Sequence, residues 1–175
     1  PTINQLDDSV GVTTIKQLDG SVGLAIDETI HPSELIYYNI DENGEIVDGD
    51  KIIALCAMDM KETGRLKNDT AVVTVMSNMG FFKFADENGI HCEKTKVGDR
   101  YVLEEMRREG YSIGGEQSGH IILLDHATTG DGELTAAMFL SLFKKSGKKA
   151  SELAGEIEKY PQILKNITAN NDQKA

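Results

Sequence analysis

The sequence is short of cysteine, of cations and of long apolar runs, and each shortage excludes something. Only Cys56 and Cys92 occur among its 175 residues. They lie far apart, with no C-x-x-C spacing and no nearby histidine pair, which argues against a disulfide framework or a zinc site. Reduced thiols in a cytoplasmic protein are the expectation. Lysine and arginine total 18 against 29 aspartates and glutamates, a formal net charge of −11. That balance speaks against nucleic acid or an anionic membrane as partner. No stretch approaches the ~20 apolar residues of a membrane span, and none reads as a signal-peptide core. Internal repeats and low-complexity segments are also missing.

What is present describes an ordinary globular chain, 39% hydrophobic and 27% charged. Its length suits one well-packed domain. A first residue Pro1 rather than methionine reads as an excised or processed piece. Residues 1–20 form an N-terminal segment of uncertain order, with a short helix expected at 12–18. Strands are expected at 21–26 and 34–40, separated by a loop containing His31-Pro32. The turn Asp41-Glu42-Asn43-Gly44 leads to a short strand at 45–47, completing a hairpin.

A helix over 51–64 follows, capped by Asp48 or Asp50, with Ile52, Ile53, Cys56 and Met60 on its inner face. The run 70–76 is the clearest strand. Ser77 or Asn78 starts a helix that Gly89 stops, and core packing is expected for at least two of Phe81, Phe82 and Phe84. Further strands are expected at 91–95 and 120–124, and further helices at 101–109, capped by Asp99, and at 133–145. A last helix over 151–160 is closed by Pro161. Strands alternating with helices give an α/β class: a mixed β-sheet flanked by helices, in one domain over 21–167 with a disordered tail at 168–175.

Between two apolar runs lies the stretch 114–120, Gly-Gly-Glu-Gln-Ser-Gly-His. Its glycines permit positive φ or close approach of a ligand, and a carboxylate, an amide, a hydroxyl and an imidazole crowd beside them. Such a set suits the vicinal hydroxyls of a small polyol; it also suits a solvent-facing turn.

The residues V-G-L-A-I-D, D-E-N-G-E-I-V-D-G-D, G-R-L-K-N, T-V-M-S-N-M-G-F, V-G-D-R-Y-V, G-G-E-Q-S-G-H-I-I and T-T-G-D-G occur here in order. In sequence and spacing this chain resembles the third, sugar-binding domain of bacterial phosphoglucosamine mutases, within the α-D-phosphohexomutase superfamily. The likeness runs from Val22 to Ile167 and is strong from Asp41 onward. It implies a four-domain enzyme that interconverts glucosamine 6-phosphate and glucosamine 1-phosphate in amino-sugar and cell-wall precursor synthesis. In that family a phosphoserine loop, a Mg2+ loop, a sugar-reading loop and a phosphate-binding loop converge, because phosphoryl transfer depends on positioning and charge neutralisation.

By that resemblance Glu116 and Ser118 contact sugar hydroxyls, with Gly115 and His120 beside them. His120 reads equally as a packed or surface residue. Arg100, in Gly98-Asp99-Arg100, faces either a substrate phosphate or solvent. Thr128-Thr129-Gly130-Asp131-Gly132 and Asp48-Gly49-Asp50 read as helix starts, and the lysines at 144, 145, 148 and 149 as a helix terminus.

The departure is at the metal loop. The family pattern D-G-D-G-D-R is replaced after Asp27 by Glu28-Thr29-Ile30-His31-Pro32-Ser33. Asp27 is a remnant metal ligand at most, so no cofactor is expected in this chain, Mg2+ belonging to the full-length family. The expected partners are a hexosamine phosphate, weakly bound, and the remaining mutase domains. Two readings follow. One is the sugar-binding part of a mutase, inactive alone. The other is a free-standing, non-catalytic interaction module with a new surface at 28–39.

Overall fold

The computed structural model describes residues 40–165 throughout, together with the backbone of the strands Val12–Leu18 (β1), Val22–Asp27 (β2) and Tyr37–Ile40 (β3). These three strands and Ile46–Val47 (β4) form an antiparallel meander in the order β1-β2-β3-β4. The helix expected at 12–18 is therefore a strand. Val12-Thr13-Thr14-Ile15 is a β-branched run, stiff at χ1, and it finds a partner in β2 from Leu18↔Val22 onward. The hairpin between β3 and β4 forms as expected. Its turn is organised by Asp41, whose Oδ1 accepts from Asn43 N at 2.8 Å and from Glu45 N at 3.0 Å. The expected loop at 28–33 and the tail at 168–175 lie outside the described residues.

The helix Gly49–Glu62 (α1) is capped by Asp48, whose side chain accepts from Lys51 N at 3.2 Å. Its burial goes well beyond one face: Ala54, Leu55 and Ala57 join Ile52, Ile53, Cys56 and Met60 in the core. Thr70–Thr74 (β5) is buried along its whole length and leads to Met79–Glu87 (α2), capped by Asn78. Phe81 and Phe84 of α2 are buried, with Phe82 edge-on to Phe81 at 5.5 Å. After His91–Thr95 (β6) comes Asp99–Glu109 (α3), and then Ile113–Gly115 (β7) and Ile121–Leu123 (β8). Gly98, not Asp99, is the N-cap of α3. Its φ of 127° and ψ of 128° suit glycine, and Asp99, one residue further in, accepts from Arg100 N at 2.7 Å.

Gly132–Ser146 (α4) begins at Asp131, whose carboxylate accepts from Leu134 N at 2.9 Å. Ala150–Gly155 (α5) is shorter than the helix expected over 151–160. Gly155 is a weak helix former, and beyond it the backbone is claimed by Asn78, which bonds both the N–H and the carbonyl of Tyr160. Among the described residues, no helix is long and apolar enough to cross a membrane.

The second sheet has the order β6-β5-β7-β8, with β6, β5 and β7 parallel and β8 antiparallel to β7. Side chains alternate between its faces, as the pleat requires. Ala71, Val73, Ile113, Ile121 and Leu123 pack toward α1, α2 and α4, while Val72 and Ile122 meet Val102 and Met106 of α3. A mixed sheet between helical layers is the expected α/β architecture, with α1 as the most extensively buried of the described helices. From β5 the chain passes to β6 on one side and returns to β7 on the other. The carboxyl ends of β5 and β7 thus flank the point where the winding reverses, the place where open α/β sheets hold their ligands.

Candidate sugar-hydroxyl site

The connection between β7 and β8 leaves the sheet at that point. Glu116 N donates to His120 O at 3.0 Å, and Gly119 N to Glu116 O at 3.0 Å, so the loop closes on itself as a tight hairpin. Gly119, with φ of 103°, takes the backbone conformation such closure needs. Gly114 and Gly115 belong to β7 and are buried, and their missing side chains are a packing requirement. A Cβ on Gly114 would lie 2.7 Å from Met106 Sδ and 2.8 Å from Val72 O.

Glu116 is half-buried, and its Oε1 accepts from Gly98 N at 2.9 Å. One carboxylate oxygen is thereby oriented by the last amide of the β6–α3 turn. Beside it, His120 Nε2 lies 3.6 Å from Asp99 Oδ2. The ring of His120 rests on Gly130, where a Cβ would collide with it. Ser118 and Gly119 are exposed at the tip of the hairpin. The result is a row of polar groups, Asp99, Glu116, Ser118 and His120, carried on turns from the same end of the sheet. Carboxylate and hydroxyl oxygens so arranged can accept from, or donate to, neighbouring hydroxyls of a polyol.

Arg100 is differently placed. Its Nε donates to Glu104 Oε1 at 2.7 Å along the surface of α3, and its side chain is 81% exposed. Three further contributors come from outside the hairpin. Gly130 seats the histidine, and Asp99 partners it. Gly49, the first residue of α1, donates its N–H to Gln117 O at 3.0 Å. A Cβ there would run into Glu116 O and lie 2.8 Å from Gly119 N. Only the position of Asp99 beside a glycine in a strand-to-helix turn hinted at such a part.

The residues available for the Mg2+ that the resemblance implies do not fit it. Asp27 ends β2 within extended backbone paired to Val12, and its side chain lies outside the described residues. With Glu28 next in sequence and no further acid before Glu34, the donor set falls short of a near-octahedral oxygen shell. Among the described residues, no three His, Cys, Asp or Glu side chains converge on one point.

Phosphoglucosamine mutase from Geobacillus thermodenitrificans is 57% identical over 136 residues, which cover 78% of this chain and 30% of that protein. The same figures hold for phosphoglucosamine mutase from Bacillus cereus. The chain thus spans about a third of the length of these relatives. Among solved structures, a putative phosphomannomutase from Thermus thermophilus aligns with a TM-score of 0.67 at 21% identity, covering 85% of this chain and 32% of that one. A phosphoglucomutase/phosphomannomutase family protein from Burkholderia thailandensis aligns at 0.65 with 20% identity, covering 82% and 30%. These last two likenesses bear on the fold alone. Residues 48–160 match the family described as phosphoglucomutase/phosphomannomutase, alpha/beta/alpha domain III. This chain belongs to that family.

Proposed function

We propose that this chain is the sugar-recognition part of a phosphoglucosamine mutase, and that Glu116 and Ser118 contact the hydroxyls of a hexosamine phosphate. The observation that carries the reading is the Glu116 carboxylate, fixed at one oxygen by Gly98 N at 2.9 Å on a hairpin at the carboxyl end of the sheet. Pre-orientation of that kind lowers the entropic cost of gripping a flexible polyol. His120 and Asp99 extend the polar row, and Gly115 allows the hairpin to leave the sheet against the His120 backbone.

Acting alone, the chain binds substrate weakly and turns nothing over. Phosphoryl transfer needs a donor nucleophile and charge neutralisation of the moving group, and neither is supplied by the residues around Glu116. Titration of the isotopically labelled chain with glucosamine 6-phosphate tests the site. Chemical-shift changes are expected at residues 114–120, and their absence there, with changes elsewhere, would move the site. Conversion of glucosamine 6-phosphate to glucosamine 1-phosphate by the chain alone would refute the inactive reading.

A further inference from the structure

Asp50 is the most deeply buried charged residue among those described, 1% exposed, and the hydroxyl sites discussed above make no use of it. Its Oδ2 accepts from Asn78 N at 2.6 Å, while Oδ1 is buried without a hydrogen-bond partner beside the equally unpartnered Ser77 Oγ. A buried carboxylate with one oxygen unsatisfied is costly to keep, so its position is under demand from both sides.

One side is the polar hairpin. Gly49, next to Asp50 in the first turn of α1, holds Gln117 O and leaves no room for a Cβ against Glu116 and Gly119. The other side is the strap of chain at 158–162. Asn78, held by Asp50, uses Oδ1 to accept from Tyr160 N at 2.9 Å and Nδ2 to donate to Tyr160 O at 2.8 Å. Gln162 Nε2 donates to Met76 O at 2.8 Å, and Lys159 Nζ lies 3.3 Å from Asp48 Oδ2 at the α1 cap. A second glycine completes the match: a Cβ on Gly80 would run into the Glu158 carbonyl. The hairpin and the strap are seated by close glycine contacts on two turns, and the Asp50–Asn78 bond joins those turns.

We propose that Asp50 is a positioning residue that makes the hairpin at 114–120 and the strap at 158–162 one cooperative unit, so that holding a ligand at the hairpin also orders the strap. The ligand clause rests on the hydroxyl-site reading above; the cooperativity does not. Backbone groups that both depend on one buried bond for their placement open together when that bond is lost.

Amide hydrogen exchange on the 175-residue chain reads this directly through Gly49, Asn78, Gly119 and Tyr160, whose N–H groups make the bonds in question. In the unliganded protein the four protection factors are expected to agree within about threefold, as one opening unit requires. Asp50→Ala is expected to lower all four together, by about tenfold or more, the scale of a lost hydrogen bond to a charged group. Asp50→Asn, which keeps an oxygen for Asn78 N, is expected to leave the four in agreement. If Asp50→Ala does not fold, the agreement in the wild type and in Asp50→Asn decides the matter. Protection factors that differ by more than about tenfold in the wild type overturn the proposal, as does an Asp50→Ala effect confined to Asn78 and Tyr160. Added glucosamine 6-phosphate separates the two readings. Protection gained at Gly119 without Tyr160 ends the coupling and keeps the hydroxyl site. No gain at either, with the four amides still opening together, ends the hydroxyl site and keeps the coupling.

Discussion

Gly49→Ala is the substitution on which sequence-level and structural reasoning disagree in sign. In a helix, glycine costs about 1 kcal/mol relative to alanine, so by propensity the change stabilises α1. The packing says otherwise. The new Cβ would stand 2.8 Å from Gly119 N and 3.0 Å from Gln117 O, and would press directly on Glu116 O. Those atoms belong to a backbone hairpin that cannot give way as a flexible side chain would. Overpacking of this kind costs about 1–3 kcal/mol, and displacing the hairpin also breaks the Gly49 N to Gln117 O bond, worth about 1 kcal/mol. Set against the propensity gain, a net loss of about 2 kcal/mol is expected, which for a chain of this size lowers Tm by roughly 4–8 °C. Urea denaturation measures it, with Gly155→Ala as the control. At Gly155 nothing lies within 4 Å of the added carbon, so there the propensity gain is unopposed and stability should rise by up to about 1 kcal/mol. Glucosamine 6-phosphate binding should weaken in Gly49→Ala and not in Gly155→Ala. A Gly49→Ala protein as stable as the wild type, with unchanged binding, would refute the claim that α1 seats the hairpin.

Two further outcomes are expected. Burial holds the Asp50 carboxyl above its usual range, against the opposing bond from Asn78 N and the nearby Ser77 hydroxyl. The folded state then holds that proton more tightly than the unfolded chain, so its stability relative to Asp50→Asn should fall as pH rises from the ordinary aspartate range through the raised value, and stay level above it. Urea midpoints of the two proteins across that window check the sign, and a wild-type stability that rises with pH relative to Asp50→Asn would contradict it. Burial also pushes the Cys56 thiol to about 12 and the Cys92 thiol to about 11. At about pH 8 a thiol reagent should leave Cys56 untouched in the folded chain and modify Cys92 slowly, both reacting at once in denaturant; rapid labelling of Cys56 in the native protein would displace it from the core.

Elements with strong local signals were readable in the sequence. β5 is an unbroken apolar and β-branched run, α1 and α4 open on aspartates, and Gly110 ends α3 with φ of 75°. Features imposed from a distance were not. β1 depends on β2 for its ladder, and α5 stops early because Asn78, far back in sequence, takes the backbone of Tyr160. The wide burial of α1 escaped the reading of one inner face, since alanines such as Ala54 and Ala57 do not mark a stripe as bulky residues do. The site divides along the same line. The stretch carrying Glu116, Ser118 and His120 announced itself by its own composition. The parts played by Gly98 N, Asp99, Gly130 and Gly49 arise only once the turns meet.

The hairpin at 114–120 ends by delivering Ile121 to one core and Ile122 to the other, on opposite faces of the sheet. Because side chains on a strand alternate, inserting or deleting a single residue in the hairpin would swap those two destinations and turn β8 inside out. The identity of the loop can change at Gln117 and Ser118, the latter with loss of the proposed hydroxyl contact, without disturbing either core. Its length cannot, since the alphabet of the loop is open while its metre is set by the two cores beneath it.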